Sequence, residues 1–170
     1  MNFNNLLKIE TCCFTGHRAQ KLPWGFNETD SRCVKVKNFV KKEIIKSVNL
    51  GYINFISGMA LGFDMICAEI VIELKKIYSN IKLICALPCK QQDKFWNSKQ
   101  RIRYENIVKH ADLVLCLHEK YTKDCMEERN RYMVDNSSMV IVLFNGKKGG
   151  TYKTIEYAKM KKKKIVIIKV

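Results

Sequence analysis

The chain lacks the loop signatures of most nucleotide-binding α/β proteins. Its 170 residues contain no Gly-x-Gly-x-x-Gly and no Gly-x4-Gly-Lys-Ser/Thr, which speaks against a standard dinucleotide site and a Walker-type ATPase. No Cys-x-x-Cys occurs either, although there are eight cysteines. Cys85 and Cys89 flank Pro88 without a second ligand pair, so a zinc site lacks its spacing. The cysteines, at 12, 13, 33, 67, 85, 89, 116 and 125, mostly fall inside apolar patterns. They read as buried, reduced thiols acting as small hydrophobes. Apolar runs stop far short of the ~20 residues that span a membrane. Residues 1–10 show no long apolar segment followed by small residues, so no signal peptide is expected. These absences predict a cytoplasmic protein with no metal, no cofactor and no membrane partner.

Negative charge is scarce too. Sixteen Asp and Glu stand against 31 Lys and Arg, a net charge of +15. That excess permits a nucleic-acid partner. It also fits a compositional bias, because most of the cations are lysines on predicted helix surfaces. The run Lys161–Lys164 closes a predicted helix, where cations complement the macrodipole.

What is present is a regular alternation. Apolar runs predict strands at about 10–14, 52–56, 81–87, 113–117, 139–144 and 165–168. Between them, apolar residues at spacings of three and four predict helices at about 30–49, 61–78, 91–110, 125–136 and 151–162. The first helix is the clearest, with Cys33, Val36, Val40, Ile44 and Val48 on one stripe and Gly51 as its stop. In the third, Phe95, Trp96, Ile102 and Ile107 are the inward candidates. Residues 1–9 read as a polar lead-in and 16–31 as a long loop rich in turn formers. The strands are continuous apolar runs, which is the pattern of a parallel sheet covered on both faces. The expected fold is therefore a single α/β domain over residues 1–170. It is a Rossmann-like, doubly wound, mostly parallel sheet of about six strands with helices on both faces.

In such a sheet, ligands bind outside the carboxyl ends of the strands. Three strands end in small or glycine-rich turns: Thr15-Gly16, Ser57-Gly58 and Asn145-Gly146-Lys147-Lys148-Gly149-Gly150-Thr151. The last two lead into helices, whose N-termini attract anions. A phosphate-bearing ligand is the expected occupant.

Specific motifs sharpen this. Cys13-Phe14-Thr15-Gly16-His17-Arg18, Lys21-Leu22-Pro23-Trp24-Gly25 and Ser57-Gly58-Met59-Ala60-Leu61-Gly62-Phe63-Asp64 resemble the YpsA-like family of the SLOG superfamily, over essentially the whole chain. That superfamily groups the DNA-processing protein A Rossmann domain with the Lonely Guy nucleotide hydrolases. The resemblance implies a Rossmann-like fold, binding of a nucleotide or nucleotide-derived signal, and a homo-oligomer, by analogy a dimer. A second likeness runs through Met126-Glu127-Glu128-Arg129, Met133, Ser137 and Gly149-Gly150-Thr151, which are similar to the Lonely Guy pattern. In those enzymes the matching arginine and a glutamate just after the Gly-Thr cleave an N-glycosidic bond. Here Tyr152, Lys153 and Thr154 follow Thr151, and the nearest carboxylate is Glu156. Five positions exceed one helical turn, so Glu156 need not share the expected face.

The candidate ligand-binding residues are Thr15, Gly16, His17, Arg18, Trp24, Ser57, Gly58, Met59, Ala60, Gly62, Asp64, Arg129, Asn145, Gly146, Gly149, Gly150 and Thr151. His17 offers a phosphate donor or an acid/base near neutral pH, and Arg18 a bidentate phosphate clamp. Trp24 and Trp96 offer stacking surfaces or core packing. Gln92 and Asp93 are candidate rim residues. Asp64 reads either as a helix-start carboxylate or as a contact to ribose hydroxyls. If the protein is an enzyme, Arg129, Glu156 and Asp64 are the catalytic candidates. Non-catalytic binding of a nucleotide-derived small molecule is the leading expectation. A nucleoside monophosphate N-glycosidase and a single-stranded DNA binder are the alternatives.

Overall fold

A computed structural model describes residues 8–170; most of the predicted lead-in lies outside the described residues. Six strands form one sheet: β1 (Thr11–Gly16), β2 (Asn54–Ser57), β3 (Lys82–Cys89), β4 (Leu113–His118), β5 (Met139–Phe144) and β6 (Lys164–Lys169). Their spatial order is β4-β3-β2-β1-β5-β6, and every pairing is parallel. The chain lays down β1 to β4 in one direction and then returns to the other side of β1 for β5. The winding therefore reverses between β1 and β5, and the connections leaving those two carboxyl ends diverge. That crevice is where open α/β sheets hold ligands.

Five α-helices make the crossovers: α1 (Ser31–Asn49), α2 (Phe63–Leu74), α3 (Ser98–His110), α4 (Cys125–Asp135) and α5 (Gly150–Met160). The first three bury Val36, Val40, Ile66, Val71 and Ile107 on one side of the sheet. The last two bury Met133, Val134, Ile155 and Ala158 on the other. Strand β5 serves both layers, sending Met139, Ile141 and Leu143 one way and Val140 and Val142 the other. Full burial of each such side chain stabilises by about 1.5–3 kcal/mol. Helix α1 starts where Asp30 accepts a hydrogen bond from the Arg32 amide at 2.8 Å. It stops before Gly51, whose φ of 91° suits the residue that ends a helix. All eight cysteines are free thiols, seven buried and Cys116 exposed.

Three expectations need correction. The third helix begins at Ser98, not 91, because Asn97 and Gln100 form a reciprocal capping box there. Residues 90–97 are consequently a loop. Phe95, expected inward, is 92% exposed, and Ile102 is 57% exposed. Trp96 and Ile107 do pack inward. The second helix is shorter than the predicted 61–78, since Gly62 precedes it and Leu74 ends it.

The long loop after β1 contains a single 3-10 turn, Ala19–Lys21, and is fastened at both ends. Leu22 and Trp24 are buried beneath it. At its far end Glu28 pairs with Arg103 of α3 at 2.6 Å and Lys37 of α1 at 2.6 Å. Arg103 also holds Glu69 of α2 at 2.6 Å. Burial pushes the Glu28 pKa up, but hydrogen bonds from Arg103 and Lys37 outweigh it and leave the carboxylate below its ordinary range.

Candidate functional site

The loops after β1, β2 and β5 enclose a cleft of about 900 Å³ at the switch point. The β1 and β2 loops are joined first. The Ala19 amide donates to the Leu61 carbonyl at 3.2 Å, and Arg18 and Gly62 form an antiparallel bridge. Gly62 permits this approach: its φ is 110°, and a Cβ there would lie 2.6 Å from the Ala19 nitrogen. Gly16 makes room within the same junction, since a Cβ would fall 2.5 Å from the Phe63 ring. After β2, the Ser57 hydroxyl donates to the Asp64 carbonyl at 2.8 Å and accepts from the Met59 amide at 3.2 Å. Met59 takes a left-handed φ of 58°, the kind of local strain that a surrounding structure must hold in place.

The β1 and β5 loops meet at His17. Its Nε2 accepts a hydrogen bond from the Asn145 amide at 3.1 Å, and its ring stacks on Phe144 at 5.8 Å. Burial and the nearby Lys21 charge both lower its pKa. The ring is therefore neutral near pH 7, with the proton on Nδ1. His17 is a joint between two strand ends, and its free nitrogen is a donor.

Beneath the cleft lies a buried charge pair. The Arg129 guanidinium of α4 donates to the Gly58 carbonyl and approaches the Asp64 carboxylate at 4.0 Å. Asp64 also accepts from the Ala60 amide at 3.3 Å. Burial raises the Asp64 pKa, against the pull of Arg129, and burial lowers that of Arg129. A Cβ on Gly58 would fall on the guanidinium and 2.8 Å from the Asp64 oxygen. That glycine is what lets Arg129 reach the β2 loop.

The rim has the opposite character. Arg18, Lys21, Lys147 and Lys148 line the cleft and are exposed. None of them forms an ion pair among the described residues. Among the described residues, Asp64 is the only acidic side chain in the lining. The first turn of α5 opens on this rim with no side-chain cap, leaving its amides to attract an anion.

Of the sequence-predicted residues, the structure brings Thr15, Gly16, His17, Arg18, Ala60, Asp64, Arg129, Asn145, Gly149, Gly150 and Thr151 together around this cleft. Ser57, Gly58, Met59 and Gly62 are buried behind it, and Gly146 sits in the β5 turn without lining it. Trp24 is 5% exposed in the core and does not reach the cleft. Glu156 faces the outer groove between α4 and α5, where it pairs with Lys159 at 2.8 Å. Lys21, Lys147 and Lys148 were legible only as parts of motifs. Met126 was legible only within the Lonely Guy-like motif and Asn130 carried no sequence signal; they lie three positions before and one after Arg129 on α4.

Comparison with known proteins fits this architecture. A model of the YspA SLOG family (YpsA) matches residues 12–169. The chain belongs to that family. An uncharacterized SPbeta prophage-derived protein of Bacillus subtilis, YoqJ, is 34% identical over 117 residues, 62% of this chain and 68% of its own. A UPF0398 protein of Brevibacillus brevis is 28% identical over 152 residues, 87% of this chain and 79% of its own. Among solved structures, DNA processing protein A of Helicobacter pylori, described for its single-stranded DNA binding mode, superposes with a TM-score of 0.65 at 21% identity. The match covers 97% of this SLOG chain and 68% of that protein. The Streptococcus pneumoniae protein of the same name gives 0.60 at 19%, with 96% of this chain matched to 51% of its length. At these identities the two structures establish a shared fold. Among the described residues no helix is long and apolar enough to cross a membrane.

Proposed function

We propose that this SLOG protein binds a nucleotide or nucleotide-derived ligand by its phosphate, in the cleft at the β1–β5 switch point, and does not hydrolyse it. The observation that carries this reading is the rim. Four exposed cations that form no ion pair among the described residues line one concave site, beside an uncapped helix N-terminus. Positive charges gathered at one concave site, with Asp64 as the one acidic side chain lining it among the described residues, raise a field that draws an anion from outside. His17 contributes a donor at the same edge.

The non-hydrolytic part rests on the carboxylates. Cleavage of an N-glycosidic bond through an oxocarbenium-like transition state needs an ionised or proton-donating carboxyl beside the sugar. Asp64 is buried and held by Arg129 and the Ala60 amide, and Glu156 lies on another surface. The test is thermal shift with AMP and ADP-ribose, followed by analysis of the same mixtures for free base. Stabilisation with intact nucleotide is expected. No shift at millimolar concentration would remove the binding reading, and release of free base would remove the non-hydrolytic one.

A further inference from the structure

A second cleft adjoins the first. It has a volume of about 780 Å³, and Arg18, Gln20, Ala60 and Met126 line both. Its far wall comes from the loop 90–97 and the turn after β4, brought together because Cys89 pairs with His118. Three aromatic side chains line it: Phe95, Trp96 and Tyr121. Phe95 is 92% exposed and Tyr121 68%. Neither is covered by the chain's own core, although each would lose exposed apolar area on any contact.

These rings are not on a loose segment. The Lys90 amide donates to the His118 carbonyl at 3.1 Å, and the Trp96 amide to the Asp93 carbonyl at 2.9 Å. The Gln92 side chain donates to the Met59 carbonyl at 3.1 Å, tying this loop to the phosphate-facing β2 loop. Trp96 is fixed edge-on against Tyr104 at 5.5 Å. Gln91 holds a left-handed φ of 58°. The charge is again positive: Lys90, Lys94 and Lys120 line the cleft against Glu119 alone, which Lys90 already pairs at 2.6 Å. Lys94 sits over the Phe95 ring at 5.7 Å.

Exposed aromatic faces among cations, continuous with a phosphate site, match one ligand chemistry: a base on a phosphate-bearing backbone. We infer that the second cleft is a stacking subsite for a second base, so that the ligand carries two bases joined by phosphate, with Arg18 at the junction. This rests on the phosphate reading of the first cleft. Two sources share the chemistry, a free dinucleotide and the end of a single strand.

Calorimetric titration separates the possibilities, using AMP, the phosphorylated dinucleotide pApA and a 5′-phosphorylated deoxyadenosine strand of about ten residues. pApA is expected to bind at least about tenfold tighter than AMP, a typical yield of one stacked base. Phe95→Ala combined with Tyr121→Ala, both surface truncations, is expected to erase that advantage. Equal affinity of pApA and AMP, or an advantage that survives the double variant, overturns the second subsite alone. Binding of neither overturns the phosphate reading and this one with it. A strand tighter than pApA assigns the source as a strand end, and equal affinity assigns a free dinucleotide; either outcome supports two bases.

Discussion

The glycines after β1 and β2 and those after β5 read alike in sequence, as small-residue turns at strand ends. In the structure they do different work. Gly16, Gly58 and Gly62 are filled by the protein itself: a Cβ would meet Phe63, Arg129, or the backbone of residues 17–19. A Cβ on Gly146 or Gly150 would meet nothing within 4 Å. The first group welds the β1 and β2 loops to each other and to Arg129 of α4. The second leaves space at the start of α5, where a ligand's phosphate has room to approach. A glycine turn at a strand end is therefore not by itself a phosphate loop, and the neighbours decide which kind it is.

Substitution is the direct way to break this comparison. Gly58→Ala and Gly62→Ala should have the largest effect, each costing about 3 kcal/mol through overpacking, with the positive φ adding strain at Gly62. Chemical denaturation would read it. Gly150→Ala should go the other way. Alanine is the better helix former, so stability should rise by about 0.5–1 kcal/mol while nucleotide affinity falls. A Gly150→Ala protein as destabilised as Gly58→Ala would abolish the distinction.

The smallest effect concerns the joint between the two regions. His17 has a folded pKa below its ordinary 6.5. Between those values the unfolded chain holds the proton and the folded one does not, so stability falls as pH drops through that window. Melting temperature should decline as pH falls below the ordinary histidine value of 6.5, and the decline should shrink in His17→Gln. Identical pH profiles in the two proteins would free His17 from the role of joint.

Much of this was legible in the residues. Parallel strands follow from continuous apolar runs, and α1 from the stripe Cys33, Val36, Val40 and Ile44. The motifs picked out three loops that the structure brings to one cleft. What was not legible is what side chains do when distant segments meet. Gly16 looks like a phosphate-loop glycine until Phe63 arrives beside it, 47 positions later. Trp24 looks like a stacking residue until the core closes around it. Phe95 fits a helical stripe only if the Asn97 cap is overlooked, and the correct reading moves it from core to surface. The second cleft joins residues 90–96 to 119–121 through a strand pairing, which no local pattern announces.

The central claim is that the free cations of the rim hold a phosphate. Calorimetric titration of AMP and adenosine against the native protein and the Arg18→Ala/Lys21→Ala variant tests it most directly. The account predicts that AMP binds at least about tenfold tighter than adenosine, the scale of one charge-assisted contact. It predicts that the variant loses this preference at an unchanged melting temperature. Equal affinity for AMP and adenosine, or a phosphate preference that survives the variant, would contradict it.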